Sequence, residues 1–247
     1  MIDGSEVNRY EFSSPNKFFN FITENIKSGG DFKVYGKKRI VIRQIGQTPI
    51  IGICEPNIVT SNTLYNLYLK NDDYSLFYVL SILNSKLIKK YWLSNYSDSK
   101  QLFPKIKGYQ LKQLPIKIAS LKTQQPFIEK AEKMLSLNKE LQLLAQKFQR
   151  TLQRKFFSDN GFQPIAIAKK LQNWYLLSYL DFIKELTKQK VKLSLSQEAE
   201  WEDYFTTEAK KVLALKTEID ATDKAIDEMV YELYGLSGDE IKIVEKS

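Results

Sequence analysis

The 247 residues are 43% hydrophobic, 27% charged and 13% aromatic, which describes a folded globular chain, one long domain or two shorter ones, with material for a substantial core. One cysteine, Cys54, and no histidine exclude disulfide frameworks, zinc clusters, Cys-His nucleophiles and the Ser-His-Asp triad. No apolar run approaches the roughly 18 residues of a membrane span, and the polar opening MIDGSEVNRY is not a signal peptide, so a cytoplasmic protein without a membrane partner is expected.

The net charge of +8 is unevenly placed. Residues 1–122 hold 18 Lys and Arg against 9 Asp and Glu, whereas residues 123–247 hold 19 against 20. A surplus confined to one half suits a polyanion such as nucleic acid, because each phosphate neutralised releases condensed counterions.

In the first half, short β-branched runs separated by turn formers predict strands: RIVIRQIG (Arg39–Gly46), then TPIIGICEPNIVTSN, then TLYNLYLKNDD. The stretch YSLFYVLSILNSKLIKKYWLSNY that follows is too long for one strand. Its apolar positions Phe77, Leu80, Leu83, Leu87, Ile88 and Tyr91 repeat at helical spacing, so it predicts one helix on the sheet, capped by Asp72 or Asp73.

From Gln125 the pattern becomes a long helical seam through Phe127, Ala131, Met134, Asn138, Leu141, Ala145, Phe148 and Leu152. A second seam runs through Phe205, Val212, Leu215, Ile219, Thr222, Ile226, Met229 and Leu233 to a C-capping Gly235. The seams span 125–157 and 197–235. The inserted segment, 158–196, reads as a loop (SDNGFQP), a third helical stretch (Ile165–Lys190) and a strand-like VKLSL. An antiparallel, coiled-coil-like pair within one chain is the simplest closure, with homodimerisation through the same seams as the alternative. Asn138 and Thr222 are polar seam positions that could fix register. The fold class is therefore α+β, a mixed α/β domain at 1–122 followed by a helical domain at 123–247.

Motifs of catalysis are missing. No Gly-x-Gly occurs, so neither a dinucleotide fingerprint nor the glycine turn of a methyl-donor site is present, and there is no Walker lysine motif. No two prolines adjoin, which excludes the Asn/Asp-Pro-Pro-aromatic loop that holds a target exocyclic nitrogen. Four Asp/Glu-x-Lys tripeptides, beginning at Asp31, Asp98, Glu208 and Glu240, match the frequency chance gives from composition and do not signal a metal-dependent nuclease. No catalytic, cofactor-binding or metal residue is assigned.

What remains is a binding surface. Lys33, Lys37, Lys38, Arg39 and Arg43 lie in and before the first strong strand, with Tyr35, Gly36 and Gln44 interleaved; Lys86, Lys89, Lys90, Lys100, Lys105 and Lys107 form a second group. Lysines suit phosphates, while Arg43 and Gln44 suit bidentate contacts to base edges. An Arg39, Val41, Arg43 alternation is also what any half-exposed strand shows.

Five stretches of the first half stand in order: GSEVNRY (Gly4–Tyr10), KKRIVIRQIG, NIVTSNTLYNLYL, YVLSILNSKLIKKYW and FPKIKGYQLKQLPI. In them it resembles the TaqI-like specificity domain, the target-recognition module of adenine-specific DNA methyltransferases and of type IIG restriction enzymes that fuse methyltransferase and nuclease. The second half is similar to the helical extension of such enzymes in LDFIKELTKQKVKLSLSQEAEWEDYF and IDATDKAIDEMVYELYGLSGDEIKIVE. The resemblance implies a bacterial restriction-modification protein whose partners are double-stranded DNA, bound with Arg9 among the contacts, and a methyltransferase catalytic domain. That domain would flip an adenine and methylate its N6 using S-adenosylmethionine, and this chain carries neither its cofactor glycines nor its catalytic loop. Because the sequence opens almost directly on GSEVNRY, it looks like the C-terminal portion of a larger enzyme or a separately encoded specificity unit. The alternatives are a stand-alone specificity subunit serving separate methyltransferase or restriction subunits, and a coiled-coil interaction protein without a nucleic-acid role.

Overall fold

A computed structural model describes residues 1–12, 15, 17–26, 31–96, 104–156 and 167–246. In chain order the strands are β1 Val7–Asn8, β2 Glu11–Phe12, β3 Arg39–Arg43, β4 Ile51–Cys54 and β5 Leu64–Leu67. The helices are α1 Leu76–Asn84, α2 Lys86–Tyr96, α3 Gly108–Leu111, α4 Leu121–Phe156, α5 Lys169–Gln172, α6 Tyr179–Lys188, α7 Leu195–Tyr234 and α8 Gly238–Glu245. The arrangement is α+β, as the sequence predicts. Two compact units partition the chain, Met1–Leu135 with Thr222–Ser247 and Ser136–Ala221, so the compact units do not divide at residue 122.

The first unit is built on an antiparallel sheet of order β4-β3-β5, the three strands the sequence predicts. As the central strand, β3 is covered on both faces, so Arg39, Ile40, Val41 and Ile42 are all buried instead of alternating in and out. Ile40 and Ile42 share their face with Ile51 and Ile53 of β4, and α1 packs against both strands. On the other face Val41, Cys54 and Leu64 form a core with Ile2 and Val7. Burial raises the Cys54 thiol pKa and keeps it an inert core group.

A hairpin of β1 and β2, too short to be visible as sequence periodicity, lies over Gly52. A Cβ at position 52 would stand 2.5 Å from the Glu11 carbonyl oxygen and 2.8 Å from that of Asn8, so only glycine allows this approach. The hairpin turns at Arg9 and Tyr10, the latter with φ 57°, and the Tyr10 N–H donates to the Ile51 carbonyl at 3.2 Å.

The helix expected across 74–96 is two helices. Ser85, buried and extended (φ −71°, ψ 155°), separates α1 from α2. Its hydroxyl donates to the Ile82 carbonyl at 2.7 Å and accepts from the Ile88 N–H at 3.3 Å, closing one helix and opening the next. The N-cap of α1 is Ser75, not Asp72 or Asp73.

The second unit is an aromatic cluster around Phe148 of α4. Its ring stacks on Trp174 at a centroid distance of 3.7 Å and on Tyr204 of α7 at 5.3 Å, and meets Phe182 of α6 edge-on at 5.8 Å. Within this unit, later residues of α4 meet earlier residues of α7, with Phe156 against Trp201 at 4.9 Å and Phe148 against Phe205 at 6.1 Å. The two run antiparallel here, and Leu141, Ala145 and Leu152 of the first seam are buried within one chain. The loop SDNGFQP and residues 165 and 166 lie outside the described residues. The third helical stretch is broken into α5, a 3₁₀ turn Trp174–Leu176 and α6, which Ser178 caps by accepting from the Asp181 N–H. VKLSL forms no strand; α7 begins within it at Leu195.

At Gly235 (φ 71°) the Leu236 N–H donates to the Tyr231 carbonyl at 3.0 Å, as does the Gly235 N–H to that of Glu232 at 3.0 Å. This left-handed cap ends α7 as the sequence predicts.

Candidate nucleic-acid interface

The predicted cations divide into those the first unit consumes in its own architecture and those it leaves open. Arg39 is fully buried. Its Nε donates to Asn66 Oδ1 at 2.7 Å, Nη2 to the Ile58 carbonyl, and Nη1 to the carbonyls of Lys37 (3.4 Å) and Glu55 (3.5 Å), while the guanidinium lies 5.2 Å from the Tyr35 ring centroid. With no exposed atom it has nothing to offer a duplex, which corrects its assignment as a DNA contact. It fixes the turn that carries Lys37.

Arg43, one of the two residues suited by sequence to base edges, is half-buried. Its Nε donates to the Val7 carbonyl at 2.6 Å, and Nη2 donates to Asn8 Oδ1 at 2.9 Å and to the Ser5 carbonyl at 3.5 Å. The Nε–Nη2 edge of the fork is therefore turned inward, holding the hairpin on the sheet.

Arg9 is committed in the same way. Its Nη1 and Nη2 hold Asp223 at 2.6 and 2.5 Å, and Nε and Nη2 donate to the Asn84 carbonyl at 3.2 and 2.6 Å. Lys86 pairs with Glu245 at 2.6 Å and stands 3.9 Å from Asp227; the hydrogen bond to Glu245 raises its pKa. Asp227 is buried, accepts the Lys86 backbone N–H at 2.8 Å on Oδ1, and has no hydrogen-bond partner on Oδ2. Burial pushes its pKa up to about 6. Lys38 pairs with Glu55 at 3.1 Å and lies 5.6 Å from the Phe77 ring.

Lys33, Lys37, Lys89, Lys90, Lys105 and Lys107 have no carboxylate partner among the described residues. They form two groups. The first, Lys33 and Lys37, occupies the turn before β3, tied to the sheet by the Asn57 N–H donating to the Tyr35 carbonyl at 2.8 Å and by the Tyr68 hydroxyl donating to that of Val34 at 2.5 Å. The second follows the other end of β3. There the Gln44 carbonyl accepts from the Ile106 N–H at 2.9 Å, and the Tyr65 hydroxyl donates to the Ile106 carbonyl at 3.1 Å, which places Lys105 and Lys107 beside that strand end. The Trp92 indole N–H reaches the Gln47 carbonyl at 3.1 Å and holds α2, with Lys89 and Lys90, against the loop after β3. From Lys38 to Gln44 the chain takes six extended steps, so the groups stand about 20 Å apart along the strand. The Gln44 side chain makes only a long contact to the Leu64 carbonyl, 3.5 Å. Lys100 lies outside the described residues.

Sequence periodicity missed two features of this surface. Phe19, Phe21, Phe32 and Tyr35 pack edge-to-face beside Lys33, with Phe21 and Phe32 centroids 5.3 Å apart. Tyr109 of α3 is 58% exposed beside Lys107, whose ammonium lies 5.9 Å from its ring. Lone aromatics among polar residues give no periodic signal, and only their charged neighbours mark them.

The TaqI-like C-terminal specificity domain profile matches residues 1–116. That stretch is similar to this family. The match covers the sheet, α1 to α3 and every predicted DNA-contact residue, and it points to DNA recognition in restriction-modification systems. Residues 120–230 match a domain of unknown function, DUF8810. No curated protein matches the chain. Among the described residues no helix is long and apolar enough to cross a membrane, and no cluster of potential metal ligands occurs.

Proposed function

We propose that this chain is the sequence-recognition part of an adenine-N6 DNA methyltransferase system, working with a catalytic domain that supplies S-adenosylmethionine binding and base flipping. The family match over 1–116 carries the reading. The surface supports it through lysines held without carboxylate partners in segments tied to the sheet, together with the amide of Gln44 and the ring of Tyr109. Lys33, Lys37, Lys89, Lys90, Lys105 and Lys107 are assigned to phosphates, where a mobile point charge suffices. Gln44 is assigned to a base edge. Arg9, Lys38, Arg43 and Lys86 act one step removed, fixing the segments that carry the contacts. These roles are the same whether the catalytic domain is joined in the same polypeptide or supplied as a separate subunit.

The test is selection of bound duplexes from a randomised library by the whole chain, followed by titration across salt. A recovered consensus and a logarithmic salt slope of about −0.9 per phosphate contacted are expected. Absence of duplex binding at low salt would overturn the reading.

A further inference from the structure

The even charge balance of residues 123–247 conceals a second polarity. Residues 139–192 carry 11 Lys and Arg against 4 Asp and Glu, whereas residues 193–247 carry 6 against 14. Within α4 the contrast sharpens: from Leu141 to Phe156 there is no carboxylate, but there are Lys147, Arg150, Arg154 and Lys155.

At about 100° per residue, Lys139, Lys147, Arg150 and Arg154 fall within one arc of about 80°, opposite the arc of Leu141, Ala145, Phe148 and Leu152. The latter set is buried, with Phe148 at the centre of the aromatic cluster, and the former is exposed. Lys139, Lys147, Arg150 and Arg154 have no carboxylate partner among the described residues.

An ordinary solvated helix face mixes signs. The α7 segment of the same unit does so, pairing Lys211 with Glu208 at 2.6 Å and Lys216 with Asp220. The α4 stripe instead places Lys147 and Arg150 three residues apart and Arg150 and Arg154 four apart, spacings at which like charges repel and weaken the helix. Favourable interaction with the helix C-terminus accounts for Arg154 and Lys155, which lie in the last turn, but not for Lys147 and Arg150. The helix bears a cost that an anionic partner would relieve.

We infer that this stripe of the helical unit is a sequence-independent phosphate-binding track for duplex DNA, a second contact beyond the specificity domain. The inference rests on the function proposed above. From Lys147 to Arg154 the charges rise roughly 4–6 Å per step, with Lys139 about 12 Å before Lys147, and they do not converge on a point, so they complement a linear polyanion better than a single bound anion.

The experiment uses the whole chain and a duplex several helical turns long. Lys147→Ala, Arg150→Ala and Arg154→Ala are combined, because alanine on an exposed helix face preserves the helix. A control combines Lys210→Ala, Lys211→Ala and Lys216→Ala on α7. The stripe variant should bind random-sequence duplex about tenfold or more weakly, with a salt slope shallower by about two to three, and should keep the wild-type sequence preference. The control should leave the slope within about one of wild type. A stripe variant indistinguishable from wild type, or from the control, would overturn the track while leaving the recognition function standing. Tight binding of poly-glutamate, lost in the stripe variant while duplex binding is unchanged, would assign the stripe to an acidic protein and equally overturn it. Failure of the wild type to bind any duplex would remove both readings.

Discussion

Among the described residues, buried polar and charged side chains concentrate in one unit: Arg39, Thr60, Ser81, Asn84, Ser85, Gln124, Thr222 and Asp227 belong to Met1–Leu135 with Thr222–Ser247, and Glu208 to Ser136–Ala221. The second unit is filled instead by Phe148, Trp174, Phe182, Trp201 and Phe205. Hydrogen bonds are directional and costly to leave unmade, so a core braced by them tolerates one register. Aromatic packing depends on contact area and on looser angular preferences. The contrast suits a surface whose loops must hold fixed positions in one unit and a helical body that needs cohesion in the other.

The comparison breaks most readily at Phe148. Phe148→Ala should cost about 3–5 kcal/mol in chemical denaturation, with the slope against denaturant unchanged. A cost below about 1 kcal/mol would show that the cluster does not centre on this ring.

The polar brace is tested at Arg39. Arg39→Met removes the donors that satisfy Asn66 and the Ile58 carbonyl, and it should destabilise by about 2–4 kcal/mol. Arg39→Lys should recover little, since an ammonium cannot span partners arranged around a planar fork. Recovery to wild-type stability would mean that the charge alone matters.

Asp227 offers a pH test of the same brace. Its folded-state pKa of about 6 lies above the ordinary 3.8. The folded state therefore favours the proton, and this contribution is complete below pH 4 and lost as pH rises through 6. Asp227→Asn keeps an acceptor for the Lys86 N–H and removes the titration. Relative to wild type it should gain about 2 kcal/mol between pH 4 and 7. Parallel stability curves for the two proteins would dismiss the effect. Arg9, Asp223 and the Lys86 ammonium surround the carboxyl and are unchanged by the substitution.

The smallest expected effect is at the open lysines. Lys89→Ala and Lys90→Ala should each change stability by less than about 0.5 kcal/mol while reducing the DNA salt slope by about one. A loss of stability like that at Arg39 would place them in the scaffold.

Elements fixed by local periodicity were legible in the sequence: three strands, two seams and the glycine that ends α7. Features fixed by tertiary contact were not. Ser85 breaks 74–96 because its hydroxyl serves both flanking helices, and serine within an apolar run does not announce that role. The arginines of β3 read as solvent-facing because alternation reports a side chain's face of the strand and not what covers it. Only the tertiary structure reveals that both are claimed by backbone carbonyls, Arg43 by that of Val7 in the hairpin and Arg39 by that of Ile58 in the loop after β4. The lysines without a carboxylate partner were legible as a cationic surface, since such a cation needs no partner in the fold to be seen in the sequence.

The inward turn of Arg43 has a practical consequence for retargeting. A combinatorial library that varies Lys33, Gln44, Lys105 and Tyr109 alters side chains with no buried hydrogen bond, so its members should express as folded protein at rates close to the parent. Randomising Arg43 together with them would release the Val7 carbonyl and the Asn8 amide, and most of that diversity would be lost as misfolded clones before selection begins.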